Sequence, residues 1–271
     1  MAMSLDACMA QHIGDRQEQQ DRAGLLQHPR QKKLVLAVVA DGVGGHTGGA
    51  LAAGQVVLTA KNNFEQFSAD DQTPEQMLKE AINEAHLMIR LGRVLTEQDP
   101  NSTGVVLMLR GSGDTMSAAW AHCGDSRLYR FRGNQTLFQT RDHTYVQQMI
   151  QKGYMTPEQA AVHPRRNVLV TSLGGEDAPL IDVGSADDLQ PGDNFMLCSD
   201  GLYAYFSDTE MAGTIAAFPA REAAGKLIDL ARQRANGKGD NCTVVIVKLE
   251  EATPPPPPGS PPPGLRGQRV P

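Results

Sequence analysis

Three apolar runs in this chain end on, or follow directly after, an acidic residue. Residues 34–40 read Leu-Val-Leu-Ala-Val-Val-Ala and lead into Asp41-Gly42. Residues 195–199 read Phe-Met-Leu-Cys-Ser and lead into Asp200-Gly201, and residues 242–247 follow Asp240. Uninterrupted apolar runs of this length predict strands buried on both faces. Apolar positions at helical spacing predict helices over 48–64 and behind Thr73-Pro74-Glu75-Gln76, a capping-box start with proline at the first helical position. A block of strands follows over 104–109, 117–123, 127–131 and 136–139, with Gly111-Ser112-Gly113-Asp114 and Arg132-Gly133-Asn134 as turns. Further helices are expected over 143–152, after Thr156-Pro157-Glu158-Gln159, after Ser207 and over 221–235, the last closed by Gly237. Strands in blocks and helices in pairs favour an α+β layered sandwich over a parallel doubly wound sheet.

A carboxylate at the mouth of a core strand is costly unless something positive sits there. Asp41, Asp200 and Asp240 have no lysine or arginine beside them, so the expected partner is a bound cation. The candidate ligands are all oxygens, which points to a hard ion such as Mg2+ or Mn2+ rather than zinc. The chain has 271 residues and a formal charge of −6, with no basic stripe of the kind a general nucleic-acid binder shows. Its four cysteines, Cys8, Cys123, Cys198 and Cys242, form no C-x-x-C pair and read as reduced thiols of a cytoplasmic protein. No apolar run approaches the ~18 residues of a membrane helix, and the first residues lack the basic flank and apolar core of a signal peptide.

The division expected is a catalytic domain over 8–250 and a proline-rich, disordered tail over 251–271. Within the tail, the proline runs 254–258 and 261–263 favour extended geometry that cannot pack a core. The tail is a spacer or a docking site for a proline-recognising partner.

Six segments, in order, resemble the bacterial branch of the metal-dependent Ser/Thr protein phosphatases, the PPM or type 2C family. They are residues 16–21, Asp41 to His46, Cys123-Gly124-Asp125-Ser126-Arg127, Arg141-Asp142-His143-Thr144, Ser199-Asp200-Gly201-Leu202 and Gly239-Asp240-Asn241-Cys242-Thr243. Residues 163–169 and Leu173-Gly174-Gly175 fit the same branch. The resemblance spans roughly 10–249 and implies a four-layer α-β-β-α sandwich of two mainly antiparallel sheets flanked by helix pairs, with a two-metal centre at one end. By similarity Asp41 bridges both Mn2+ or Mg2+ ions, the Gly42 carbonyl holds one, Asp200 and Asp240 complete the inner ligands, and Asp21 lies in the first metal motif. Asp125 resembles the ligand of a third ion. Arg16 resembles the arginine that grips the substrate phosphate. Two cations ~3.5–4 Å apart clamp a bridging water and aim it in line at phosphorus, with no covalent phosphoenzyme. The implied substrates are phosphoserine and phosphothreonine on proteins that a Ser/Thr kinase has modified, and the enzyme is expected to act as a monomer.

Two departures matter. The first motif has Gln19 and Gln20 before Asp21, and Gln20 brings no charge to the metal. Val43 stands where the eukaryotic branch places a histidine, so the proton donor is open, with His46 a candidate. His143 reads as a helix-start or packing residue, Thr103 as a structural hydroxyl, and residues 145–167 as the flap that influences substrate choice. A thiol-based phosphatase is excluded because the residue six after Cys123 is Tyr129, not arginine, and no G-x-x-x-x-G-K-[ST] supports a nucleotide hydrolase. The alternative is a phosphatase-like sensor or scaffold that binds phosphoproteins; retention of Asp41, Asp200 and Asp240 favours the enzyme.

Overall fold

A computed structural model describes residues 3–43, 47–96 and 99–252. His46 and the proline-rich tail lie outside the described residues. The sheets contain β1 (Met3–His12), β2 (Arg22–Gln27), β3 (Leu34–Ala40), β4 (Gly42–Val43), β5 (Asn101–Ser102), β6 (Gly104–Ser112), β7 (Thr115–Cys123), β8 (Arg127–Arg132), β9 (Gln135–Gln139), β10 (Asp182–Ala186), β11 (Asp193–Cys198) and β12 (Cys242–Glu251). One sheet runs β1-β12-β11-β8-β9, the other β10-β7-β6-β3-β2, and β4 pairs with β5. Every pairing among these strands is antiparallel.

Helices α1 (Thr47–Gln66) and α2 (Pro74–Thr96) cover the second sheet. Two short helices, α3 (Tyr145–Gln151) and α4 (Pro157–Ala161), lie in the flap, and α5 (Asp200–Tyr203) follows β11. Helices α6 (Asp208–Ala217) and α7 (Ala220–Ala235) cover the first sheet. The layers are therefore helices, sheet, sheet, helices, as the resemblance implied.

The core explains why the strand runs are continuously apolar. In β3, Leu36, Val38 and Ala40 pack under α1 and α2, while Ala37 and Val39 face the other sheet. In β12, Val244 and Ile246 pack under α6 and α7, while Val245, Val247 and Leu249 fill the space between the sheets. Each strand buries both faces, so period-2 alternation of apolar and polar residues disappears.

Three strands differ from the expected pattern. β1 and β2 occupy sheet edges where no strand was expected, and β10 is a half-exposed edge strand. β1 pairs along its whole length with β12, from Met3 opposite Glu251 to His12 opposite Cys242. The folded unit thus begins ahead of residue 8. The expected helix over 143–152 starts two residues later, because Thr144 caps it by accepting from Gln147 N and His143 turns inward. The capping boxes at Thr73 and Thr156 are both formed.

Candidate functional site

Antiparallel register brings distant chain segments to one end of the two sheets. β11 ends beside the start of β12, with Cys198 opposite Val244, so Asp200 and Asp240 meet there. β3 ends where β2 begins, with Ala40 opposite Arg22, so Asp41 and Asp21 meet there. β7 ends at Cys123 opposite Gly104, which brings the Gly124–Asp125 turn alongside. The loop after β1 carries Arg16 to the same end. Arg16, Gln20, Asp41, Gly42, Asp125, Asp200, Asp240 and Asn241 line one cavity of about 710 Å³, with Asn101, Asn167 and Ser172 on its wall.

The aspartates are held by their backbones. Asp41 N donates to Thr103 Oγ1 at 3.0 Å, and its carbonyl accepts from Thr103 N and Ser102 Oγ. Thr103 is the structural hydroxyl expected, and it shares a 2.7 Å hydrogen bond with Ser126. Gly124 adopts φ +101°, and a Cβ there would lie 2.7 Å from the Thr103 side chain, so this turn requires glycine. Gly201, at the start of α5, lies so close to β12 that a Cβ would come within 2.0 Å of the Asn241 carbonyl oxygen.

Asp21 is fully buried and does not line the cavity; it lies beneath it. Its Oδ2 accepts from Ser199 Oγ at 2.7 Å, and its Oδ1 has no partner among the described residues. Asn241 ties the arginine loop to β12: its amide donates to the Ile13 and Glu18 carbonyls and its Oδ1 accepts from Gln20 N. Arg16, largely exposed, reaches only to the cavity rim, where its Nη2 donates to Asp240 Oδ2 at 2.6 Å.

Burial and mutual repulsion set the charge state of this cluster. Burial, then the Asp200 and Asp142 charges, pushes Asp125 up to about 7. Burial, then Asp240 and Asp21, pushes Asp200 up to about 6, and burial pushes Asp21 to about 6 as well. Asp41 is raised well above the carboxylate range by burial and by four neighbouring aspartates. Like charges packed this way ionise together only around a cation. The all-oxygen donor set and the orphaned Asp21 Oδ1 fit a hard divalent ion.

Ser199 and Asn241 were legible only as parts of motifs; their bonds to Asp21, Gln20 and Ile13 span 178 to 228 residues and no local pattern assigns them a role. Burial pushes the Cys123 and Cys242 thiols up to about 12, which leaves no thiolate nucleophile at either position. Asp142 receives a two-pronged hydrogen bond from Arg127, which also lies over the Tyr203 ring at 3.7 Å, and so anchors the segment before the flap. The flap is pinned where Thr144 bridges Leu169 and Tyr145 N donates to Val168 O.

Residues 9–230 match the family model described as protein phosphatase 2C. The chain is 32% identical over 224 residues to the serine/threonine protein phosphatase PstP of Mycobacterium tuberculosis, covering 78% of this chain and 40% of that protein. It is 29% identical over 237 residues to the serine/threonine phosphatase stp of Listeria welshimeri, covering 86% of this chain and 91% of that protein. The chain thus spans about two fifths of the mycobacterial relative and nearly all of the Listeria one. The crystal structure of the catalytic domain of PstP in complex with two manganese ions superposes with a TM-score of 0.73 at 25% identity, over 92% of this chain and all of that one.

Proposed function

The chain belongs to the protein phosphatase 2C family, and from that premise we propose that it is a metal-dependent phosphatase acting on phosphoserine and phosphothreonine in proteins. The observation that carries this reading is the convergence of Asp41, Asp125, Asp200 and Asp240 on one cavity, an all-oxygen cluster that fits divalent cations. Asp41, the Gly42 carbonyl, Asp200 and Asp240 would hold two Mn2+ or Mg2+ ions, Asp21 would support them from below, and Asp125 would hold a third. When bound, such ions neutralise phosphoryl charge and acidify the attacking water.

The chain's own groups do the rest. Arg16, held at the rim by Asp240, can turn its planar fork onto phosphate oxygens and fix the phosphorus for in-line attack. Asn241 sets the height of the loop that carries Arg16. Thr103 and Ser102 fix Asp41 in place, so the centre is preorganised and needs little rearrangement when the substrate arrives. His46 stands as the candidate that returns a proton to the leaving serine or threonine oxygen.

The substrates are proteins phosphorylated by a Ser/Thr kinase, and the proline runs of the tail offer a proline-recognising partner a ligand. No helix among the described residues is long and apolar enough to cross a membrane. The test is phosphate release from phosphoserine, phosphothreonine and phosphotyrosine peptides with Mn2+ and with EDTA. Metal-dependent release from the first two supports the reading. No release from any peptide by folded, Mn2+-loaded protein would support the phosphoprotein sensor instead.

A further inference from the structure

On the other side of the Gly124–Asp125 turn, β10 lies antiparallel to β7 with Asp182 directly opposite His122. Cross-strand partners project from the same face of a sheet, so this register sets a carboxylate beside an imidazole. His143, from the segment that leads into α3, stacks on His122 with ring centroids 4.6 Å apart. Its Nε2 lies 3.6 Å from Asp182 Oδ2. One donor atom from each of the three residues lies within 4.8 Å of the other two.

Both rings are buried, His122 to 2% exposure and His143 to 4%. Within them, His122 Nδ1 and His143 Nε2 have no hydrogen-bond partner among the described residues. Buried nitrogens without partners are uncommon and costly, and two of them on stacked rings beside one carboxylate call for a common cause. The tautomer of His122 is fixed: Nε2 faces the Arg141 carbonyl oxygen at 2.9 Å and must carry the proton, which leaves a bare lone pair on Nδ1. Metal-ligating histidines use this arrangement, with the far N–H tied to a backbone carbonyl. Burial also holds both imidazoles below their ordinary pKa, which favours neutral rings.

We propose that His122 Nδ1, His143 Nε2 and Asp182 form a binding site for a borderline transition-metal ion such as Zn2+ or Co2+, distinct from the all-oxygen cavity. Two imidazoles and one carboxylate are a donor set for such ions, whereas carboxylates and carbonyls alone suit Mg2+ and Mn2+. Asp182 is half exposed at the sheet edge, which gives the ion a route from solvent and lets the carboxylate swing to close the site. His143 Nδ1 accepts from Gly124 N at 3.2 Å, so the metal-free ring keeps its proton on Nε2. Binding at Nε2 needs a lone pair there, so the proton moves to Nδ1, the ring gives up the bond from Gly124 N and stays neutral. His143 still donates its backbone N–H to the Gly124 carbonyl, so the ion grips a residue tied to the turn that carries Asp125. The site requires nothing of the phosphatase reading and is tested without an activity assay.

The test titrates full-length protein with Co2+ in excess Mg2+, which occupies the oxygen ligands, and follows the visible d–d absorption of nitrogen-ligated cobalt. The proposal expects one equivalent of Co2+ with such a band. In Asp182→Asn, where the substituted residue is half exposed on an edge strand, Co2+ affinity should fall at least tenfold while the thermal unfolding midpoint stays put. His122→Gln should abolish the band. An unchanged Co2+ affinity in Asp182→Asn would overturn the proposal. So would a band lost in Asp41→Asn but kept in His122→Gln, or the absence of any band in the wild type.

Discussion

Asn241 makes three hydrogen bonds that no other residue can replace at once, two to the Ile13 and Glu18 carbonyls and one from Gln20 N. Each is worth about 1 kcal/mol, and loss of the side chain also takes the partner from two part-buried carbonyls. Asn241→Ala should therefore lower kcat/KM about tenfold or more, mostly through KM, because the loop that carries Arg16 loses its anchor; steady-state kinetics on a phosphopeptide checks this. Arg16→Lys should raise KM about tenfold with a smaller change in kcat, since an ammonium cannot grip two phosphate oxygens in one plane; an unchanged KM would remove Arg16 from the substrate site. At this scale the sequence was informative about carboxylates and silent about their supports. Asp41, Asp200 and Asp240 announce themselves because an acid at the end of an apolar strand needs an explanation. Ser199, which holds Asp21, reads as an ordinary strand-end serine until the fold closes the 178-residue gap.

The turn from β11 into α5 places Asp200 and tolerates no side chain at Gly201, where a Cβ would meet the Asn241 carbonyl oxygen at 2.0 Å. Gly201→Ala must push that turn away from β12. Overpacking of this kind costs about 1–3 kcal/mol, so the unfolding midpoint should drop by several degrees and metal-dependent turnover should fall further than stability alone explains. Equal turnover in the variant would contradict the geometry. Elements were legible where burial is two-sided: β3, β11 and β12 were all anticipated from uninterrupted apolar runs. Among the edge strands only β9 was, through the turn at Arg132-Gly133-Asn134 that pairs it with β8. β1 and β2 mix apolar with polar residues, and β1 owes its place to a partner far along the chain, as in the pairing of Met3 with Glu251. β10, Asp-Val-Gly-Ser-Ala, owes its place to β7, and its Gly184 exists to let the Trp120 ring lie against the backbone.

For the molecule as a whole, the buried acids tie stability to pH and to metal. Asp125 titrates near 7 in the folded protein and Asp41 lies well above the carboxylate range, while the unfolded chain has ionised both by about pH 5. The folded state thus binds more protons, and stability falls as pH rises through these values. Below about pH 6.5 the four histidines that burial holds below their ordinary value, His28, His86, His122 and His143, act in the opposite sense. Between about pH 6.5 and 8 the aspartates act alone among the shifted groups, so in EDTA the unfolding midpoint should decline across that interval. With Mn2+ present the decline should vanish or reverse, because the ion replaces the protons; a midpoint that rises with pH in EDTA would contradict this. The layered architecture was legible through its family resemblance, whereas the placement of Asp21 below the cavity rather than in it emerges only from the packed fold. The most direct test of the central claim is the rate of phosphate release from a phosphothreonine peptide as a function of Mn2+, for wild type beside Asp200→Asn of unchanged folded content. The carboxylate centre predicts a Mn2+-dependent rise in the wild type and a saturating rate roughly 10³-fold lower in the variant, since several kcal/mol of transition-state stabilisation depend on the ions it holds. A variant that matches wild type at every Mn2+ concentration would show that hydrolysis does not run through this cluster.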